Sequence, residues 1–268
     1  MSTPIQLAVH GAAGRMGRRV IALASEDSAF EITAAIDHPS NPLLGQDAGA
    51  VAGLAALDVT LSSDWPAGAD MVIDFSLPAA LDTCLANCVS AGVPLVVATT
   101  GLSQPQKASL AQAAQSIPIV WAPSMSMAVN LTMKLTQQIT ETLKDVAGGI
   151  DIEILERHHR FKADAPSGTA LRFGELIAEK MDGDVKHVQG RYGETGQRSR
   201  NEIGYHAIRV GDHPGEHSIV FGMLGECIEL NVAASNRDCY ASGALAAAKW
   251  LKGRQAGLYN MFDVLGLE

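Results

Sequence analysis

Residues 5–17 of the chain read IQLAVHGAAGRMG. The mostly apolar Ile5–His10 predicts a short buried strand, and the glycines that follow it are spaced GxxGxxG. Apolar residues then recur at helical spacing, at Met16, Val20 and Leu23. Strand, glycine turn and helix in this order are typical of a dinucleotide-binding unit, in which the glycines let the backbone approach a pyrophosphate and the helix amides bind it.

An acid ends the second predicted strand, Phe30–Asp37, 20 residues after Gly17. Dinucleotide-binding folds place a carboxylate there to accept hydrogen bonds from the ribose hydroxyls. A simple turn residue is the alternative interpretation of Asp37, but its position relative to the glycines favours ribose binding. His38 stands where a cation would meet a 2′-phosphate. Because a neutral His binds phosphate weakly and Asp37 repels it, we expect NADH to serve at least as well as NADPH.

Strand and helix patterns alternate through the first half of the chain. The predicted strands at 71–76, 94–98 and 118–122 are separated by helices that begin at Pro78 and at the capping box Ser103–Gln106. This alternation predicts an α/β fold, a Rossmann-type parallel sheet covered on both faces, over residues 1–127. Ligands bind at the carboxyl ends of such strands, which is where Ser76, Thr99, Thr100 and residues 122–124 fall.

The pattern changes after Met127. A long helix at 128–146, a strand at 150–155, a helix at 170–181 and three strands at 203–210, 217–221 and 227–233 predict an α+β domain with a mixed or antiparallel sheet. We assign residues 128–235 to this second domain. The last predicted helix, Tyr240–Lys252, belongs to a segment, 236–268, that we expect to pack back on the first domain.

Composition narrows the class of protein. The net charge of −9 over 268 residues argues against nucleic acid or an anionic membrane as the main partner. The four cysteines show no CxxC and no framework spacing, so neither a metal site nor a disulfide scaffold is expected. Because no apolar run approaches the roughly 20 residues of a membrane span and the first residues lack signal-peptide features, we expect a cytoplasmic protein.

A basic cluster lies in residues 156–170, which read ERHHRFKADAPSGTA. With the preceding strand ending at Leu155, we predict that this cluster lies in a loop before a helix. A metal site is disfavoured, because adjacent histidines point different ways and no zinc-like spacing is present. A structural interpretation has the arginines solvated and the histidines bonded to backbone. The density of cations instead favours a site that clamps a carboxylate and supplies a proton.

Residues 156–170 closely resemble the signature of the 4-hydroxy-tetrahydrodipicolinate reductase (dihydrodipicolinate reductase) family. Residues 11–17 resemble that family's nucleotide loop, and residues 74–78, 99–101 and 215–217 follow in the family's order. The resemblance covers essentially the whole chain. It implies NAD(P)H-dependent hydride transfer to a cyclic imine dicarboxylate in lysine and diaminopimelate biosynthesis, by a homotetramer joined through the second domain.

The resemblance also implies roles for individual residues. His158 is the implied acid/base residue, and Lys162 is a proton donor that also meets a carboxylate. Substrate binding is implied for His159, Gly168 and Thr169. Cofactor binding is implied for Gly11, Ala12, Ala13, Gly14, Arg15, Met16, Asp37, Ala98, Thr99, Thr100, Ala122, Pro123, Ser124 and Met125. No metal is implied.

Two other functions remain open from the sequence. The first is a different Rossmann-type dehydrogenase acting on an amino or hydroxy acid, which needs only the features of the first domain. The second is a regulator or inactive paralogue that binds the nucleotide without turnover. Its support is the segment Ser124–Ala128, which departs from the family pattern.

Overall fold

A computed structural model of the chain describes residues 3–267. Its elements in chain order are β1 (Ile5–His10), α1 (Arg15–Ser25), β2 (Phe30–Ile36), α2 (Ala48–Ala52), β3 (Leu61–Ser62), β4 (Met71–Asp74), α3 (Pro78–Ala91), β5 (Leu95–Val97), α4 (Gln104–Ala113), β6 (Pro118–Trp121), α5 (Met127–Leu143), β7 (Asp151–His158), α6 (Gly168–Ala178), β8 (Lys186–Gln189), β9 (Glu202–Arg209), β10 (Glu216–Met223), β11 (Glu226–Ala233), α7 (Asp238–Leu251), β12 (Gly257–Tyr259) and α8 (Met261–Leu265).

One compact unit comprises the described residues up to Met127 together with those from Arg237 onward. Within these residues its sheet has seven strands in the order β12-β6-β5-β4-β1-β2-β3, and neighbouring strands run parallel. The strand order changes direction at β1, because β2 and β3 lie on one side of it and β4, β5 and β6 on the other. The predicted Rossmann-type parallel sheet is therefore confirmed.

The apolar strands of this sheet are buried on both faces, because alternate residues face different layers of helices. Val9, Ile73 and Val96 belong to the core that includes residues of α1 and α7. Their neighbours Ala8, Val72 and Val97 belong to the core formed with α3 and α4. Local signals fix the helix starts as predicted, since Pro78 opens α3 and a capping box between Ser103 and Gln106 opens α4.

The other compact unit, Ala128–Asn236, contains a sheet in the order β11-β10-β7-β9-β8. β10 pairs antiparallel with β11 and β7, whereas β9 pairs parallel with β7 and β8. The predicted mixed sheet is confirmed. Its strands are not simply consecutive, however, because β7 lies between β9 and β10. α6 covers one face, where Phe173 is buried with Ile152 and Ile154.

The elements that the sequence did not predict are short or polar. α2, β3, β12 and α8 span only two to five residues, too few to show a hydrophobic period. β8 is mostly exposed at the edge of its sheet and has no apolar alternation.

Among the described residues, none of the helices combines the length and the apolar character needed to cross a bilayer.

Candidate functional site

The residues expected to bind a cofactor lie at one edge of the first unit's sheet. Residues 11–16 follow β1, residues 98–100 follow β5, and residues 122–125 follow β6. The carboxyl ends of these parallel strands meet at the same edge, which is where ligands bind in such sheets. Ala98, Ala122 and Met125 are buried in the core, so only backbone groups are available from them, whereas Thr100 and Pro123 are exposed.

The turn after β1 fits a dinucleotide. Gly11 has a φ of +74°, and a Cβ there would lie 2.7 Å from the carbonyl oxygen of Phe75, so the turn requires glycine. α1 then begins with Gly14 at its N-cap and, within the described residues, with no capping side chain and no acid in its first turn. Helix geometry leaves the first amides of α1 without intrahelical acceptors, which makes this end suitable for phosphate.

Asp37 lies next to this turn and holds it. Its Oδ2 accepts a hydrogen bond from Ala13 N at 2.8 Å, and its Oδ1 accepts from His38 N at 2.8 Å and from Asn41 Nδ2 at 2.9 Å. A carboxylate has about four acceptor positions, so it can still accept from a ribose hydroxyl. The structure therefore adds a second task for Asp37, which is to orient the glycine turn.

Asp74, to which the sequence assigned no role, connects three strand ends at this edge. It is fully buried at the end of β4, bonds His10 Nδ1 at 2.8 Å, and accepts from Thr99 Oγ1 at 2.7 Å and from Ser76 N at 3.1 Å. Burial acts to raise the pKa of Asp74, but the hydrogen bonds from His10, Ser76 and Thr99 outweigh it and hold that pKa below its usual value. The ionised carboxylate thereby fixes Thr99, one of the expected cofactor residues.

His10, Asp74 and Cys84 are close enough to share a metal ion, with ligand atoms within 4.8 Å of one another. The hydrogen bond with Cys88, burial and the charge of Asp74 all raise the pKa of the Cys84 thiol. A metal requires the thiolate, so this donor set does not favour one.

In the second unit, the basic cluster begins on a strand, which corrects the predicted loop. β7 extends to His158 rather than ending at Leu155. Arg157 is held in the strand by pairing on both sides, with β10 and with β9, whereas His158 pairs with β9 alone among the described strands. The alternation of β7 places Glu156 and His158 on its buried face. His158 is accordingly a buried strand residue, 8 % exposed.

Glu156 is the centre of this cluster and is 2 % exposed. Arg209 Nη1 and Nη2 donate to its two carboxylate oxygens at 2.7 Å each, Ser167 N donates to Oε1 at 3.1 Å, and His158 Nδ1 lies 2.5 Å from Oε2. Burial acts to raise the pKa of Glu156, but the hydrogen bonds from Arg209 and His158 outweigh it and keep that pKa below its usual value. Glu156 is therefore an ionised buried carboxylate.

Burial lowers the pKa of His158 below its ordinary value. The hydrogen bond and charge of Glu156 oppose this effect, whereas the charges of Lys162 and Arg209 add to it. Lys162 itself donates from Nζ to Asp164 Oδ1 at 2.8 Å, and its side chain is 21 % exposed. The two residues expected to be catalytic thus lie in one electrostatic neighbourhood, and each is held by a carboxylate.

The three residues expected to bind substrate lie around the same cluster. His159 directly follows β7, and its N donates to His213 O at 2.8 Å. Its Nδ1 is buried and has no hydrogen-bond partner among residues 3–267. Gly168 and Thr169 open α6, where helix geometry leaves their amides without intrahelical acceptors. An orphaned imidazole nitrogen and a helix N-terminus are both suited to a carboxylate.

His217 on β10 packs against His158, with ring centroids 5.3 Å apart in an edge-on arrangement. Burial lowers the pKa of His217 to about 4, and the charge of His158 contributes to the lowering. Its Nε2 lies 3.1 Å from Ser167 Oγ, which also caps α6 by accepting from Ala170 N. His217 is therefore neutral near neutral pH and supports the helix start.

Glu156, Arg209 and His217 are site residues for which the sequence predicted no role. The alternation of β7 was a signal for Glu156, since a residue two positions before His158 shares its face. Arg209 and His217 carried no local signal. Strand register brings both residues to the site, because His158 pairs with Arg209 on β9 and Glu156 pairs with His217 on β10.

Comparisons with known protein families and with relatives cover nearly the whole chain. The family described as dihydrodipicolinate reductase, N-terminus, matches residues 5–125, and its C-terminus matches residues 128–265. A 4-hydroxy-tetrahydrodipicolinate reductase of Rhodopirellula baltica is 68 % identical over 271 residues, which cover 98 % of this chain and 97 % of the relative.

Two solved structures show the same fold at low identity. Dipicolinate-bound dihydrodipicolinate reductase from Paenisporosarcina sp. TG-14 superposes with a TM-score of 0.73 at 23 % identity, covering 97 % of this chain and 98 % of that one. GenD2 from gentamicin A biosynthesis, in complex with NAD, gives a TM-score of 0.62 at 13 % identity, covering 100 % and 92 %.

The low pKa of His217 makes stability depend on pH. The unfolded chain protonates this residue below its ordinary pKa of 6.5, whereas the folded chain does so only near 4. The stabilising contribution is therefore complete above pH 6.5 and is lost as the pH falls through 4. Between about pH 7 and pH 5, where most carboxylates stay ionised, we expect the free energy of unfolding to fall by about 2 kcal/mol from this group.

Denaturant unfolding of the wild type and of His217→Gln at both pH values measures this effect. The variant lacks the titrating group, so its loss of stability over the interval should be smaller. Equal losses in the two proteins would contradict the assignment to His217.

Proposed function

The chain belongs to the dihydrodipicolinate reductase family, and we propose that it reduces 4-hydroxy-tetrahydrodipicolinate to tetrahydrodipicolinate with acid catalysis by His158 and Lys162. It is an oxidoreductase of lysine and diaminopimelate biosynthesis that uses a pyridine nucleotide. The observation that supports the catalytic roles most directly is the buried cluster in which Glu156 and Arg209 surround His158, next to Lys162 and the start of α6.

The chemistry explains why the second unit supplies a proton. Conversion of the substrate to tetrahydrodipicolinate consumes a hydride and a proton and releases water. The reduced nucleotide, when bound, supplies the hydride. Electron density left on the conjugated imine must then be quenched by an acid. His158 and Lys162 are the groups we assign to this step.

The substrate carries two carboxylates, and the second unit offers matching donors. We assign one carboxylate to the amides of Gly168 and Thr169 at the start of α6, and we place His159 and Lys162 as further donors. Anion binding also assists the acid step, because a nearby negative charge raises the pKa of His158 from its lowered value and favours its protonation.

In the first unit, we assign the pyrophosphate to the turn at residues 11–16 and the adenosine ribose to Asp37. The nicotinamide end is assigned to residues 98–100 and 122–125. For the choice of nucleotide, the geometry of His38 favours NADH, because its Nδ1 accepts from Ser40 N at 3.2 Å and lies 2.7 Å from Ser40 Oγ. A ring nitrogen engaged by Ser40 in this way is not available to bind a 2′-phosphate. NADH is therefore proposed to serve at least as well as NADPH.

The assembly proposed for this protein is a cytoplasmic homotetramer joined through the second unit, as the family resemblance implies. Exposed apolar side chains on and beside β9 support it, since Ile208 is 46 % exposed and Val210 is 49 % exposed. The net charge of −9 argues against nucleic acid as the partner, and the basic cluster of residues 157–162 within this acidic chain supports a small dicarboxylate.

Removal of either catalytic side chain tests the proposed reaction. Purified protein is assayed for NADH and NADPH oxidation with the condensation product of pyruvate and aspartate semialdehyde. We expect His158→Gln and Lys162→Ala each to lower kcat by about 10²-fold or more, because each removes a positioned proton donor. Lys162→Ala should also raise KM, because the side chain meets a carboxylate.

Arg172→Gln is the matched control, because Arg172 lies on α6 and forms exposed ion pairs with Glu175 and Glu179. Its kcat should stay within about twofold of the wild type. An absence of turnover in the wild-type protein would contradict the proposed function. Undiminished turnover in both His158→Gln and Lys162→Ala would favour a different Rossmann-type dehydrogenase.

Substitution of His38 tests the proposed choice of nucleotide. A charged donor there should bind a 2′-phosphate, so His38→Arg is expected to raise the ratio of kcat/KM for NADPH over NADH by about tenfold or more. His38→Gln is the control, since it stays neutral and should leave the ratio almost unchanged. A wild-type protein with a strong NADPH preference that His38→Gln abolishes would contradict the proposed use of NADH.

A further inference from the structure

The surroundings of His158 indicate how its proton is placed. We propose that Glu156 is a positioning residue that holds His158 as the Nδ1–H tautomer, so that Nε2 is the atom that exchanges a proton with the substrate. This inference rests on the proposed function, because the choice of nitrogen matters for turnover only where His158 acts as the acid.

The contact that carries the inference is the one between Glu156 Oε2 and His158 Nδ1, at 2.5 Å. Both side chains project from the same face of β7, two residues apart, and both are almost fully buried. An ionised carboxylate can only accept a hydrogen bond. The nitrogen facing it must therefore carry the proton, which leaves the lone pair of the neutral ring on Nε2.

Glu156 is held as an acceptor by groups that only donate. Arg209 donates to both of its oxygens at 2.7 Å, and Ser167 N donates to Oε1 at 3.1 Å. These bonds fix the orientation of the carboxylate as well as its charge. A rotated or protonated Glu156 would break this set of bonds around a carboxylate that is only 2 % exposed, so the acceptor state is strongly enforced.

A glycine, Gly215, lies beside Nε2 of the ring and presents no side chain to it. Gly215 has a φ of +152°, and a Cβ there would lie 2.9 Å from His158 Nε2. Within residues 3–267, Nε2 makes no hydrogen bond, whereas Nδ1 has its partner in Glu156. The ring is thus bound at one nitrogen and unoccupied at the other, as a proton donor to an incoming ligand requires.

The charged and titratable groups around His158 come from several elements. Glu156 lies on its own strand, Arg209 on β9, Glu216 and His217 on β10, and Lys162 in the segment after β7. Glu156 is the group whose contact raises the pKa of His158, and Lys162 and Arg209 lower it. Loss of the Glu156 charge should therefore move the His158 titration to lower pH.

Glu156→Gln tests the proposal, because an amide can present either its oxygen or its NH₂ group to Nδ1 and so no longer fixes the tautomer. Glu153→Gln is the matched control. Glu153 lies on the opposite face of the same strand and also pairs with an arginine and a histidine, Arg191 and His206. The readouts are kcat, KM and their pH profiles, together with nitrogen NMR of protein labelled at histidine, in which His158→Gln identifies the signal.

We expect the wild type to show His158 protonated at Nδ1. Glu156→Gln should lower kcat by about tenfold or more, leave KM within about twofold, and move the pH profile of kcat/KM to lower pH, while Glu153→Gln changes none of these. The proposal is overturned by an Nε2–H ring in the wild type, by a folded Glu156→Gln with unchanged kcat, or by an equal loss in Glu153→Gln.

Two further outcomes are also decisive. Because Glu156→Gln leaves Arg209 poorly paired, folding is checked by circular dichroism, and if the variant does not fold the wild-type tautomer alone decides. If the wild-type protein shows no turnover, the proposed function fails, and the NMR measurement still accepts or rejects the role of Glu156.

Discussion

The second unit's site depends on the bidentate ion pair between Arg209 and the buried carboxylate of Glu156. A carboxylate that is 2 % exposed would be neutralised by desolvation if it had no partners. Arg209 donates to both oxygens and thereby keeps Glu156 ionised. The ionised carboxylate in turn orients His158 and accepts a hydrogen bond from Ser167 N at the start of α6. The proposed acid and part of the proposed carboxylate clamp are thus assembled by one ion pair.

The two units use a buried carboxylate in a similar way. Asp74 ends β4 and connects His10 at the end of β1 with Thr99 after β5, just as Glu156 connects β7 with Arg209 on β9. Each carboxylate gathers side chains from neighbouring strands at the place where a ligand is expected. Because neutral replacements would leave several donors unpaired in a dry environment, each acid specifies the local arrangement of its edge.

The sequence predicted most of the fold. The glycine turn, the alternation of strands and helices, and the capping signals at Pro78 and Ser103 are local, and the structure agrees with them. The sequence placed the end of β7 too early, because charged residues look like a loop until strand pairing on both sides is known. Arg209 and His217 lie far from His158 in sequence and reach it only through strand register, which no local pattern encodes.

Strand register also explains why the sequence identified the candidate acids but not all of the residues around them. His158 and Lys162 stand out as basic residues in one short segment, but Arg209 and His217, which lie near His158, come from β9 and β10. Calorimetric titration with dipicolinate at about pH 7, in two buffers of different ionisation enthalpy, counts the protons taken up on binding. Net proton uptake is predicted, because a dicarboxylate beside His158 raises a pKa that burial has lowered. Binding without proton uptake, or no binding at all, would contradict a clamp that supplies its proton from His158.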